Sequence, residues 1–282
     1  MLRITYVSFP GLGIGEFKLN SVAFTVFGHP IAWYGIIIAF GMILATTYVL
    51  YRARQERISA DDIMDLAVYT ILFGVLGARL YFVLTSLNQF DSFLEVFEIW
   101  NGGLAIYGGV IAGALTVYIY CRIKKRDVRQ FLDMVGPAAM LGQIIGRWGN
   151  FMNGEAHGGP TEIFCRMGLR FSEYGQTIYY HPTFIYESIW NLVGFVLINL
   201  FYKKKRYNGQ IAMMYLAWYG FGRMFIEQLR TDSLYLFGPS HPAWYLKISS
   251  LVGLLCFLFF GGILLHHAIR GVRKPTAFTI DT

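Results

Sequence analysis

The sequence predicts an all-α, polytopic membrane protein with about seven transmembrane helices, and three observations carry that prediction. Of the 282 residues, 55% are hydrophobic and 15% are charged, against about 25% charged in an ordinary globular domain. Several stretches of roughly 20 residues carry almost no charge, which is the length needed to cross ~30 Å of hydrocarbon. These runs also lack the alternation of barrel strands and are far longer than such strands, so helix is the spanning form. The same composition excludes a disordered chain, a collagenous rod and a disulfide-stapled secreted domain.

The spans lie near residues 31–51, 63–87, 104–122, 131–151, 184–202, 209–229 and 245–267. The fourth and sixth are the least apolar, since the fourth contains Pro137 and Gln143 and the sixth contains Arg223 and Glu227. No repeat or linker divides the chain, which reads as one integral membrane domain over 1–282. Residues 1–15 lack a basic segment followed by a cleavable apolar core, so no signal peptide is expected. Cys121, Cys165 and Cys256 form no CxxC pair, and neither metal nor cofactor is expected.

The connections orient the chain. Arg52, Arg54 and Arg57 follow the first span, and Arg122, Lys124, Lys125, Arg126 and Arg129 follow the third. Lys203, Lys204, Lys205 and Arg206 follow the fifth, while Arg270, Arg273 and Lys274 form the tail. Only Arg3, Lys18, Arg166, Arg170, Arg230 and Lys247 fall on the opposite side. Basic loops face the cytoplasm, which places the N-terminus outside and the C-terminus inside. The net charge of +7 is thereby explained by topology and attraction to lipid surfaces, and no nucleic-acid partner is needed.

Arg79, Arg147 and Arg223 are the cations within the spans. A charge at the bilayer centre costs about 2.5–3.5 kcal/mol, so each requires a partner or a watery cavity. A single one would read as a snorkelling or salt-bridged arginine, but helical rise puts all three ~21–24 Å from the cytoplasmic edge. The inward-running spans begin on that side, bringing Tyr34, Tyr107 and Glu187 to the same level. Asn150, Asn153 and Glu155 follow Arg147, and Tyr219, Arg223 and Glu227 share one helix face by their spacing of four. The glycine pairs Gly109-x-x-x-Gly113 and Gly142-x-x-x-Gly146 permit close helix approach. Gly102-Gly103 and Gly108-Gly109 flank Tyr107 and can offer backbone N–H groups to an anion. Arginines beside such donors suit a phosphate, which at this depth is that of a phospholipid headgroup.

The stretch Gly146-Arg147-Trp148-Gly149-Asn150-Phe151-Met152-Asn153-Gly154-Glu155 is more specific than any of these features. It resembles the signature of bacterial prolipoprotein diacylglyceryl transferases. Similarity continues in Trp33-Tyr34-Gly35, Gly77-Ala78-Arg79-Leu80, Asp133, His181-Pro182-Thr183, Tyr186-Glu187, and Tyr219-Gly220-Phe221-Gly222-Arg223 with Glu227. The resemblance implies transfer of the diacylglyceryl group of phosphatidylglycerol to the lipobox cysteine of a prolipoprotein. It further implies a bacterial plasma membrane, an active site toward the outer leaflet, and three partners: phosphatidylglycerol, the lipobox-bearing signal peptide and membrane lipid. A phospholipid transporter or scramblase, and a lipid-binding homologue without activity, are the competing readings.

In that chemistry a thiol attacks a glycerol carbon, a thioether forms and glycerol phosphate leaves. The thiolate is the effective nucleophile, and arginines stabilise the charge gained by the leaving group. Arg147 and Arg223 are accordingly expected to bind phosphate and assist departure. Asn150, Asn153 and Glu155 would shape the headgroup site, while Glu187 and Glu227 would orient arginines. Tyr34 and Tyr219 would donate hydrogen bonds, or else serve as interfacial aromatics. Arg79 reads equally as a substrate contact and as a structural link between helices. Tyr107 stands where many members of the family carry histidine, in Tyr107-Gly108-Gly109. A phenol of ordinary pKa about 10 is a poor base at neutral pH, so Tyr107 is expected to contribute as a donor.

Overall fold

The computed structural model describes residues 4–90, 92–98, 102–233, 235 and 247–271. Its α-helices are α1 (Trp33–Glu56), α2 (Ala60–Thr85), α3 (Ile106–Ile123), α4 (Val128–Asn153), α5 (Thr183–Tyr202), α6 (Gln210–Leu229) and α7 (Ile248–Arg270). Each answers to one predicted span, with ends displaced by a few residues because helix continues past the apolar stretch into polar flanks. The tail of α1 from Arg52 to Glu56 is an instance. Five of these helices, α1, α2, α3, α5 and α7, are long and apolar enough to cross a membrane. The two that fall short, α4 and α6, carry Arg147 and Arg223 of the site described below.

The structure also contains strands that an all-α reading leaves out. Strands β1 (Ile4–Phe9), β2 (Ile14–Asn20), β5 (Met167–Arg170) and β6 (Ile178–Tyr180) form an antiparallel sheet in the order β2-β1-β5-β6. Strands β3 (Val22–Val26) and β4 (His29–Ala32) form a separate hairpin that runs directly into α1. Along β1, Thr5, Val7 and Phe9 are buried in alternation, the period expected of a sheet with one covered face. Val7 and Phe9 pack with Leu19, Met167, Leu169 and Phe184, the last at the start of α5. Arg170 pairs with Glu16 across the sheet; its hydrogen bond holds the Glu16 carboxyl below the ordinary carboxylate value.

The chain divides into two compact units, Met1–Ala45 with Val135–Thr282, and Thr46–Met134. The smaller unit is built on α2 and α3. Ser59 caps α2 by accepting from the Asp62 amide at 3.1 Å, an arrangement worth about 1 kcal/mol. Asp62 also accepts from Tyr120 at 3.1 Å and pairs with Arg126 at 2.7 Å, tying α2 to the end of α3. Gly77 and Gly108 meet so closely that a Cβ on Gly108 would lie 2.2 Å from the Gly77 carbonyl oxygen. Gly109 and Gly113 face α2 at ordinary contact distance, as their spacing predicts. In the larger unit the Gly142–Gly146 face of α4 likewise meets α1: a Cβ on Gly146 would lie 3.4 Å from Ile38 Cδ1, and one on Gly41 would lie 3.9 Å from the Gly142 Cα.

In the larger unit, Met140, Ile198, Tyr202 and Ile211 pack α4, α5 and α6 into one core. Trp190 and Trp218 then join α5 to α6. Their rings stack at 4.3 Å between centroids, and each indole N–H donates to the other's backbone carbonyl, at 3.1 and 3.0 Å. Gly222 and Gly194 make room, since a Cβ at either would fall about 2 Å from an indole nitrogen, at 2.1 and 2.2 Å respectively.

Candidate active site

The register set by that tryptophan pair places Glu187 of α5 opposite Arg223 of α6. Glu187 is only 4% exposed and gathers three guanidinium groups. Its Oε2 lies 2.5 Å from Arg147 Nη2 on α4, and its Oε1 lies 2.7 Å from Arg223 Nη1. Arg230 Nη1, just past α6, is 3.6 Å from the same Oε1. Arg223 is held a second time by Glu227, four residues on, at 2.6 Å. Such buried charges are tolerated only when paired, and each carboxylate here also fixes the direction of an arginine fork.

Arg147 is steadied on its other side. Its Nη1 donates to Asn150 Oδ1 at 3.1 Å, and the Asn150 and Asn153 amides both donate to Glu155 Oε1, at 3.2 and 3.1 Å. Helix α4 ends as it does because Gly154 takes a positive φ of 61°, the left-handed stop that closes many helices. The chain then turns back until the Glu155 amide donates to the Asn150 carbonyl at 3.1 Å. The following residues stitch the ends of α5 and α6 together. Gly158 N donates to His181 O at 2.9 Å, and Gly159 N donates to Leu229 O at 2.8 Å. Thr183 Oγ1 donates to Ala156 O at 2.7 Å. The motif residues and the hub carboxylate thus share one hydrogen-bonded frame.

Two further groups complete the frame, Arg230 and Lys247, which by sequence position alone count among the loop cations. Arg230 donates to Asp232 through Nε at 2.9 Å and Nη2 at 2.7 Å. Burial works to raise the Asp232 carboxyl, but these bonds and the Arg230 charge hold it below its ordinary value. Lys247 Nζ donates to the carbonyls of Glu227, Gln228 and Arg230 at 2.8, 3.2 and 2.6 Å, capping the open end of α6 as a cation does well. Burial pushes the Lys247 ammonium below its ordinary pKa. Arg230 was legible in principle, since it continues the Arg223–Glu227 face by three more residues.

Tyr34, the second residue of α1, packs against α4, where a Cβ on Gly149 would come 2.9 Å from its ring. Tyr219 lies one turn before Arg223 beside a narrow cleft that Glu187 and Arg223 also line. Arg79 and Tyr107 belong to the smaller unit. The Arg79 guanidinium donates to the carbonyls of Glu95, Val96, Gly102 and Gly103 at 2.6, 2.8, 2.7 and 3.1 Å. Four of its five N–H donors are therefore spent on a loop, the geometry of its structural reading. Tyr107 opens α3, with its ring 6.5 Å from that of Tyr81.

Arg147 and Arg223 each use two N–H donors in the contacts above, out of five per guanidinium. The remaining donors, aimed by fixed carboxylates, can take an oxyanion through paired hydrogen bonds. Among the described residues no group of three or more His, Cys, Asp or Glu side chains is placed to hold a metal ion.

Comparison with known proteins shows the family. The family model for prolipoprotein diacylglyceryl transferase matches residues 21–266. A phosphatidylglycerol–prolipoprotein diacylglyceryl transferase 1 of Clostridium perfringens is 44% identical over 269 residues, covering 93% of this chain and 100% of its own. A transferase of the same description from Clostridioides difficile is 42% identical over 249 residues, covering 88% and 94%. One from Lactobacillus acidophilus is 40% identical over 269 residues, covering 91% and 92%. With Arg147, Asn150, Glu187 and Arg223 all inside the matched region, the chain belongs to the prolipoprotein diacylglyceryl transferase family.

Proposed function

We propose that the protein transfers the diacylglyceryl group of phosphatidylglycerol to the lipobox cysteine thiol of prolipoproteins, the first step of lipoprotein maturation. The carrying observation is the Arg147–Glu187–Arg223 cluster, a preorganised anion site in a chain of this family. The cysteine sulfur attacks the diacylglycerol carbon that bears the phosphate oxygen. A carbon–sulfur bond forms, the carbon–oxygen bond breaks, and its electron pair leaves with glycerol phosphate. Arg147 and Arg223 hold the phosphate and stabilise the charge that grows on it, while Asn150, Asn153 and Glu155 bound the headgroup and Glu227 and Glu187 keep the arginines aimed. The thiol proton passes to a carboxylate of the site, helped by the positive field that favours thiolate.

The reading places the whole chain, 1–282, in a bacterial plasma membrane as one seven-span transferase, with the N-terminus outside and the site toward the outer leaflet. Purified protein given phosphatidylglycerol and a lipobox peptide is expected to yield a thioether-linked peptide and free glycerol phosphate, detected by mass spectrometry. Lipid movement without that product would instead indicate a transporter. Labels near Lys204 and Arg126 are expected to be reachable only from the cytoplasm, and one near Gly159 only from outside. The opposite pattern would overturn the orientation.

Tyr107 is proposed to contribute its hydroxyl as a hydrogen-bond donor, with Arg79 shaping its own loop. Tyr107→Phe is then expected to lower turnover several-fold while leaving the acidic limb of the pH–rate profile in place. Loss of that limb would make the phenol the titrating base, and unchanged turnover would make it a packing residue.

A further inference from the structure

Asn191 lies four residues after Glu187 on α5 and is 2% exposed. Its Oδ1 is nevertheless buried with no hydrogen-bond partner among the described residues. An amide oxygen withdrawn from water without a donor is costly, and native structures rarely leave one so. The residue is not a stray polar group in packing, because it lines the same cleft as Glu187, Tyr219 and Arg223. Gln143, a half-buried amide of this unit, also has an Oε1 without a partner among the described residues, but its NH2 is anchored by donating to Tyr215 at 3.0 Å and it does not line this cleft.

Helix geometry defines where the cleft lies. Helices α5 and α6 run antiparallel, so stepping forward from Glu187 to Asn191 and back from Arg223 to Tyr219 moves in one direction. Each step is one turn, about 5.4 Å. Asn191 and Tyr219 therefore form a second, uncharged polar layer one turn below the ion pair. Trp190, Gly222 and Ile226 wall the space between, and it has room for a single water-sized group.

We propose that Asn191 is a substrate-binding residue that takes one hydroxyl of the lipid's glycerol headgroup, while Arg147 and Arg223 hold the adjoining phosphate. The site would thereby select a polyol phosphate headgroup over other phosphodiesters. The proposal rests on the transferase reading and adds the group that recognises the leaving fragment. A hydroxyl both donates and accepts, as a primary amide does, so the two satisfy each other. The three-carbon glycerol unit spans a distance comparable to one helical turn, which matches phosphate at the arginines with hydroxyl at Asn191. A phosphate does not fit so small a cleft, and a cationic headgroup would have to enter beside three guanidinium groups.

The test compares initial rates of thioether formation with phosphatidylglycerol and with phosphatidylpropanol, which keeps the phosphodiester and lacks both headgroup hydroxyls. The native protein is expected to favour phosphatidylglycerol by about tenfold, the worth of one buried hydrogen bond. Asn191→Leu is expected to bring that ratio close to one, mainly by slowing the phosphatidylglycerol reaction. A second measurement needs no variant: glycerol phosphate is expected to inhibit the native protein about tenfold more strongly than propyl phosphate. Thioether product with no native preference, a preference that survives in Asn191→Leu, or equal inhibition by the two phosphates would overturn the proposal alone and leave water as the occupant of the cleft. No thioether product from either lipid would overturn the transferase reading and this proposal with it.

Discussion

Arg223→Ala and Arg147→Ala are each expected to slow diacylglyceryl transfer by about 30- to 150-fold, a loss of roughly 2–3 kcal/mol of transition-state stabilisation. The leaving glycerol phosphate gains charge as the carbon–oxygen bond breaks, and each guanidinium is already aimed before substrate arrives. Glu187 holds both, at 2.5 and 2.7 Å, so little reorganisation accompanies the step. The loss should appear chiefly in kcat, because the interaction strengthens as charge develops. Lysine at either position is expected to restore only part of the rate, since it lacks the planar fork that bonds two oxygens at once. The double variant should fall short of the product of the two single losses, because residues that share a partner are not additive. Steady-state rates on variants that insert and elute as the native protein does would check all four statements. Near-native turnover in both alanine variants would remove phosphate binding from these residues.

What the sequence made legible follows from what a membrane demands. Continuous apolar helices are required by lipid alone, so α1, α2, α3, α5 and α7 can be marked without knowing any contact. The sheet depends on β1 meeting β5, segments separated by most of the chain, and no local pattern announces such a pairing. Arg147, Arg223, Glu187 and Glu227 stood out because charge within a span is costly and must be used or neutralised. Their wiring did not, because the meeting of Glu187 with Arg223 depends on the α5–α6 register that the Trp190–Trp218 pair fixes. Arg230 and Lys247 count as loop cations in the sequence, since a tally of basic residues between spans cannot distinguish a solvated side chain from one folded back on a helix end. Asn191 carried no signal at all, being a neutral residue in an apolar run whose significance lies only in its missing partner.

Glu187→Gln is expected to be the most damaging single change to the site, lowering both stability and rate. Three guanidinium groups converge on this carboxylate, and glutamine keeps its shape while removing its charge. Removing one partner of a buried ion pair typically costs 3–5 kcal/mol, because the charge left behind stays desolvated and unpaired. Arg223 retains Glu227 at 2.6 Å and Arg230 retains Asp232 at 2.7 Å, but Arg147 keeps only the neutral Asn150 contact described above. Arg147 should therefore lose its direction, and transfer is expected to fall at least ~100-fold, beyond either arginine substitution at its lower bound, as the loss touches both phosphate ligands. Glu187→Asp keeps the charge and shortens the reach by one methylene, so it should recover part of the rate and most of the thermal midpoint. Glu227→Gln provides the contrast, since it leaves the Glu187 contacts to both arginines intact and should cost less on both measures. Thermal midpoints in detergent and transfer rates for the three variants decide the matter. A Glu187→Gln protein with native midpoint and turnover would show that the arginines are positioned by something other than this carboxylate.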